Sequence, residues 1–384
     1  MKKLAIAATA AAAVALLGST QVQAQLAVSA NDNKLVNENG KNIVVANPAP
    51  DSVSIIDLST FPPKIVGEVQ APTSVVGPPT SVAIALDESF ALVTSAQKKD
   101  PADPAKTVAD NRVSVIDLRN KKVLQTIEAG AGAAGVSINR AGTLALVANR
   151  NEGTVSVFSL RGATLTAIEK LKLGNEKSGP SHVQFTPDGK RALVTRDGDH
   201  GLTILAVDGD KVTVTNRTFY AGIRPYGADI TRNGRYAVVG NVGFGQGDAD
   251  TASLIDLQAN PPRTIDSIAV GPTPEGIKLS PNGKYAAVVI HNGSARASND
   301  PLYNANGKVV LLGTKNQKLA KLSEARIGRW SQGAVFTPDS KLLLVQNMVE
   351  KDIQVFRIEK NKLVDTKQRI KLPGGGAAIG MAEK

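Results

Sequence analysis

The sequence predicts an all-β fold, a seven-bladed β-propeller of four-stranded antiparallel blades whose ring is closed by the C-terminal strand pairing into the first blade. Three observations carry this expectation. An alternating segment, RVSVIDL (112–118), recurs as SVSIIDL (52–58), TVSVFSL (154–160), GLTILAV (201–207), TASLIDL (251–257), KVVLLGT (308–314) and DIQVFRI (352–358). These copies stand roughly 50 residues apart, the mark of a repeat array rather than of unrelated domains. Ahead of each lies a turn and an apolar strand, as in TPDGKRALVTR (186–196), TRNGRYAVVGN (231–241) and SPNGKYAAVVIHN (280–292).

Each repeat unit resolves into four strands, a to d. Pro-Asp-Gly and Pro-Asn-Gly preset the a-to-b turn, because Pro fixes φ and Gly accepts positive φ. In four repeats Val44, Leu146, Leu193 and Leu344 precede Ile55, Val157, Ile204 and Val355 by 11 residues, a gap that forces b and c into an antiparallel pair. Strand c alternates with period two, placing Val113, Val115 and Leu118 on one face and Ser114 and Ile116 on the other. Strand d follows in KVLQTIEAG (122–130), and strand a in SHVQFTPDG (181–189) and PEGIKLSPNG (274–283). The first b strand is expected near Asn42, with LAVSAN (26–31) as the alternative. The terminal GGGAAIGM (374–381) resembles the a strands and would complete the first blade, leaving no open edge. A β-sandwich is the competing all-β fold, but it has no use for seven equivalent units.

Residues 1–24 read as a secretory signal: Lys2 and Lys3, an apolar run over 4–17, and Val22-Gln23-Ala24 as a small-x-small site with cleavage after Ala24. The apolar run is too short to span a bilayer, which takes ~20 residues. A periplasmic or secreted protein with one propeller domain over 25–384 is therefore expected. The absence of cysteine excludes disulfides, thiolate metal sites and Cys nucleophiles. The formal charge is +11, and losing Lys2 and Lys3 leaves +9, which suits anionic partners without specifying one.

The b strands end in VVAN (44–47), LVTS (92–95), LVAN (146–149), LVTR (193–196), VVGN (238–241) and LVQN (344–347). With the Pro-Asp-Gly turns and the VSVIDL strands, the chain resembles the YVTN family of β-propeller repeats, although none of these segments carries the Tyr. The resemblance implies an exported seven-bladed propeller. Proteins of that build include lactone hydrolases, periplasmic nucleic-acid binders, surface-layer proteins and companions of quinoprotein dehydrogenases, so it leaves function open.

In such a ring the b-to-c and d-to-a loops share one face. Three b-to-c loops are long (97–111, 242–252 and 293–307), marking that face as the used one. The rare and chemically able residues gather there: His182, Arg196, Asp197, His200, Arg224, Tyr226, Asn241, Glu275, His291, Arg329, Trp330 and Gln332. All are expected at the channel mouth, with Arg150 turned away from it. Because no catalytic constellation is legible, the leading expectation is a monomeric binding or scaffold protein that engages a small ligand or partner protein without chemistry. A lactonase-like hydrolase is the alternative, drawing on Glu275, His182, His200, His291 and Arg224. A single-stranded nucleic-acid binder using Trp330 with Arg329 and Tyr226 with Arg224 is a further one, but many Lys and Arg fall in turns of the opposite face. No cofactor is expected, the pairs Asp197/Asp199 and Asp248/Asp250 leaving calcium as the alternative.

Overall fold

The computed structural model describes residues 25–383, in which the alternating segments form seven sheets of four antiparallel strands. The signal reading of 1–24 lies outside the described residues. Blade 4 shows the unit: Pro180–Phe185 (a), Arg191–Arg196 (b), Gly201–Asp208 (c) and Lys211–Phe219 (d), hydrogen-bonded in that order. Its a-to-b turn is built as its residues dictate. Gly189 sits at φ +69°, Asp188 accepts from the hydroxyl of Thr186 and the amide of Lys190, and the Gly189 amide donates to the Thr186 carbonyl at 2.8 Å. In blade 7 Ser340 takes the same left-handed slot at φ +59°.

The ring closes as expected. Gly375–Met381 pairs antiparallel with Leu26–Asp32, so the C-terminal strand becomes strand a of blade 1 and gives that blade the same four strands as the rest. The b and c strands are apolar on both faces because each is sandwiched between neighbouring blades. Seven of the apolar clusters each join two consecutive blades; that between blades 7 and 1, for example, contains Val335, Leu344 and Val355 with Ala27, Ile56 and Ile379. The outer d strands alternate exposed and half-buried, as in Lys122–Glu128, and carry much of the charge.

Three expectations change. The first b strand is Leu26–Asp32, with Val28 opposite Ile55. The Asn42 region instead folds on itself, Leu35–Glu38 pairing with Lys41–Val44, so Val44 faces Leu35. The 11-residue register holds for Leu146, Leu193 and Leu344 but not for Val44. In strand c of blade 2, Leu118 joins Ile116 in the core shared with blade 1, while Val113 and Val115 face blade 3; two residues apart share a face, and 116 and 118 are such a pair.

The b-to-c insertions interlock over one end of the channel. The hairpin of blade 1 reaches the blade 6 insertion, where Asn37 donates to the Ala295 carbonyl at 3.1 Å and the Ser298 amide to Asn39 at 2.8 Å. Lys99, on a second small hairpin (Gln97–Lys99 with Thr107–Ala109), donates to the carbonyls of Val45 and Ala46. Arg296 bridges the blade 6 insertion to the Gly245 carbonyl of blade 5. Four insertions, one more than the loop lengths suggested, thus form a canopy. Beneath it Leu35, Val75, Trp330, Met348 and Ala377 make an apolar cluster.

Candidate functional site

Two positions of the repeat aim side chains into the canopied mouth. One is the residue directly after strand b, which is Arg150 in blade 3, Asp197 in blade 4 and His291 in blade 6. The other is the second residue of strand a, which is Ser181, Tyr226, Glu275 and Gln332 in blades 4 to 7. Alternation within a strand keeps each set on a common side, so seven blades bring them to one place.

Asp197 is the hub. Its carboxylate accepts from Arg150 Nη2 at 2.9 and 3.0 Å, from Arg224 Nη2 at 3.0 Å and from the Ser181 hydroxyl at 2.5 Å. Arg150 Nε also donates to Ser181 Oγ at 2.9 Å, and its guanidinium lies 5.3 Å from the centre of the Tyr226 ring. Burial by itself would raise the Asp197 pKa, but Arg150, Ser181 and Arg224 outweigh it and hold the carboxyl below its ordinary value. Burial likewise opposes the charge of Arg150, and Tyr226 and Asp197 more than offset it. Burial raises the Tyr226 pKa, keeping the phenol protonated.

Beside this cluster, Glu275 Oε2 lies 3.4 Å from His291 Nε2, and Gln332 Nε2 lies 3.3 Å from the same nitrogen. Whether that nitrogen donates to Glu275 or accepts from Gln332 is set by the tautomer. The charge of Glu275 acts on both Arg150 and Tyr226, which ties the pair electrostatically to the arginine cluster. His291 also forms part of the wall of a pocket of about 210 Å³ between the canopy segments, lined by Gly245, Gly247, Arg296 and Leu302. His200 accepts from the Arg224 amide at 3.1 Å and meets the Phe244 ring edge-on, fixing the loop that presents Arg224.

The structure thus brings together Asp197, Arg224, Tyr226, Glu275, His291 and Gln332, with His200 behind Arg224 and Trp330 in the adjoining apolar cluster. Four other expected positions fall elsewhere. Arg196 turns outward within its blade to Asp199, the Leu173 carbonyl and Thr218. Asn241 staples strand b to strand c through Thr251 and Ser253, as Asn149 does through Thr154 and Ser156. Arg329 is half exposed and paired with Glu350 at 3.0 Å. His182 stands one residue further along its strand than the mouth position, so alternation sends it away from the mouth. Arg150, expected to turn away, is central. It occupies the same repeat position as Asp197 and His291, and aligning the b strands by their ends was the signal that would have found it. Among the described residues no three His, Asp or Glu side chains are grouped as a metal site.

His182 lines a different space, a channel cavity of about 420 Å³ that opens between the a-to-b turns on the opposite face. Counted back from the turn, Gly135, Gly227, Gly276 and Gly333 hold the position that His182 holds in blade 4. A Cβ at Gly227 would stand 2.3 Å from the Glu275 carbonyl, and one at Gly276 the same distance from that of Gln332. These glycines let the inner strands close on one another, making a waist that His182 fills. The imidazole is buried, which pushes its pKa down to about 4, although Gln184 and Glu383 favour the charged form.

Comparison with known proteins agrees with the fold. A sequence model of the family described as "Lactonase, 7-bladed beta-propeller" matches residues 104–223. No curated protein is significantly similar in sequence. Among solved structures, a protein described as a candidate 6-phosphogluconolactonase from Bacteroides fragilis is similar with TM-score 0.72 and 17% identity, over 94% of this chain and 99% of the other. The periplasmic gluconolactonase of Pseudomonas aeruginosa gives TM-score 0.69 and 14% identity, over 93% and 99%. Hydrazine synthase of Kuenenia stuttgartiensis gives 0.62 and 18%, over 81% and 91%. At these identities the structural likeness shows the fold. The expectation of a binding or scaffold protein without chemistry is nonetheless corrected: the lactonase family match and the lactonase neighbours favour the hydrolase alternative.

Proposed function

We propose that the chain is a lactone hydrolase whose active centre lies under the canopy, at the Glu275–His291 pair and the neighbouring arginines. The observation that carries this is the placement of the Glu275 carboxylate 3.4 Å from an imidazole nitrogen of His291, a residue on the wall of a ring-sized pocket, with the Arg150 and Arg224 guanidiniums joined on Asp197 and Arg150 within electrostatic reach of Glu275. Lactone hydrolysis needs a base for the attacking water and positive charge for the oxygen of the tetrahedral intermediate. Glu275 and His291 supply the base, sharing the water proton between Oε2 and Nε2. Arg224 is the more accessible guanidinium, its side chain 35% exposed against 20% for Arg150, and it faces the developing oxyanion. Arg150, bound to Asp197 and Ser181, holds the cluster rigid. Protonated His291 then returns the proton to the ring oxygen as the acyl–oxygen bond breaks.

The family name and the lactonase neighbours support a sugar lactone as the substrate class. The test is proton release from glucono-δ-lactone, measured against spontaneous opening. Glu275→Gln and His291→Gln are each expected to lose about 10²-fold or more in kcat/KM, the usual scale of a lost general base. A rate equal to the uncatalysed one for the parent, or full activity in both variants, rejects the assignment. The reading also places the enzyme outside the cytoplasm, supported by the signal over 1–24; export in a bacterial host should yield a chain beginning at Gln25. The b-strand endings support the YVTN-type description of its repeats.

A further inference from the structure

The cavity on the turn-rich face has no part in the chemistry above, yet it is furnished with buried charge. Asp229, on strand a of blade 5, is satisfied by four donors: the Ile230 amide at 3.1 Å, Gln184 Nε2 at 2.8 Å, the Leu279 amide at 2.7 Å and Lys278 Nζ at 3.2 Å. It therefore pins the Gln184 amide and the Lys278 ammonium side by side at the channel axis. Both have donor capacity left over, and both direct it at one group. Glu383 Oε1 lies 3.0 Å from Lys278 Nζ, and its two oxygens lie 3.2 and 3.3 Å from Gln184 Nε2. Glu383 lies beyond the last strand, and its side chain is 53% exposed, so it is a visitor to this site rather than part of the core.

Other polar atoms there are unspent. Gln184 Oε1 and both ring nitrogens of His182 are buried without a well-formed hydrogen bond, although Gln184 stands close enough to favour the charged imidazole, and all belong to side chains that line the cavity. A buried acceptor or donor left unpaired is costly, so such atoms call for hydroxyls. The volume of about 420 Å³ also exceeds what one carboxylate fills.

We propose that this cavity is a second ligand site, which takes a small hydroxycarboxylate whose acid group replaces Glu383 on Lys278 and Gln184 and whose hydroxyls meet Gln184 Oε1 and His182. The side chain of Glu383 is then a built-in competitor. The site stands apart from lactone hydrolysis and is tested by binding alone, by calorimetric titration with gluconate and with hexanoate. Glu383→Gln should bind gluconate at least about tenfold more tightly than the parent, and hexanoate more weakly than gluconate. Lys278→Gln combined with Asp229→Asn removes both buried charges together, stranding neither, and should abolish binding. Arg224→Met, which alters only the canopied mouth, should leave the Glu383-sensitive part of gluconate binding intact. The proposal is overturned if Glu383→Gln binds gluconate no better than the parent, if hexanoate binds equally well, or if binding survives the double substitution and is lost in Arg224→Met.

Discussion

His182 makes folding stability depend on pH in a defined direction. Its imidazole fills the glycine waist, where burial costs the charged form most; Lys278 adds repulsion, and Gln184 and Glu383 only partly compensate. The folded-state pKa is pushed down to about 4 from 6.5 in the unfolded chain. Between these values the unfolded chain holds the proton and the folded chain does not. The contribution is therefore complete above pH 6.5 and is lost as pH falls toward 4. At 1.36 kcal/mol per pH unit, the span amounts to about 3 kcal/mol. The assay is urea unfolding of the parent and of His182→Leu at pH 7.5 and 4.5. Every other titrating group is common to both, so the difference isolates the imidazole. The parent should lose about 2–3 kcal/mol more than the variant between the two values. Equal losses would show that the buried imidazole accepts its proton in place, and would refute the waist as an apolar, water-poor site.

Two further outcomes follow from the canopied face. Asp197→Ala leaves Arg150 and Arg224 without their shared carboxylate and should cost about 3 kcal/mol in urea unfolding, the scale for breaking a buried ion pair; a loss under about 1 kcal/mol would mean the arginines find water instead. Replacing the hairpin strands Leu35–Glu38 and Lys41–Val44 with a short Gly-Ser linker should uncover Trp330, the sole tryptophan. Its emission should shift to the red and its quenching by acrylamide should rise, whereas an unchanged spectrum would place the indole outside the hairpin's cover.

The repeat was legible because its signals are local. A Pro-Asp-Gly turn and a period-two strand are fixed within ten residues, and seven copies leave little freedom in how they assemble. The first b strand misled because Asn42 to Val44 imitates the repeat while obeying a shorter-range rule. Asn39 and Gly40 sit at φ +44° and +83°, two successive left-handed residues, which is the two-residue hairpin turn that Asn-Gly favours. That turn pairs the segment with Leu35–Glu38 before any blade can claim it. At the mouth, Asp197, Glu275 and His291 were legible as rare polar residues in the right loops. Arg150 and His182 were not, because each depends on the parity of one strand position. Arg150 follows a b strand directly and so points inward with Asp197. His182 follows Ser181, whose repeat equivalents are Tyr226, Glu275 and Gln332, and so points the other way.

That single-residue alternation divides the channel. The turn-side cavity is lined by His182, Gly276 and Gly333 but by none of Ser181, Tyr226, Glu275 or Gln332, one position nearer the canopy. In blades 4 to 7 its inner end is therefore the glycine level, where the inner strands approach too closely for a Cβ and the one large side chain is an imidazole kept neutral by burial, while in blade 2 Pro79 and Thr80 carry the lining one step further. Over blades 4 to 7 this narrowing separates the turn-side cavity from the canopied cluster, so the two spaces open on different faces. On the canopied end the b-to-c insertions govern access. On the turn-rich end the Glu383 side chain stands on Lys278 and Gln184 among the cavity's lining residues, which makes that residue a determinant of what the lower cavity admits.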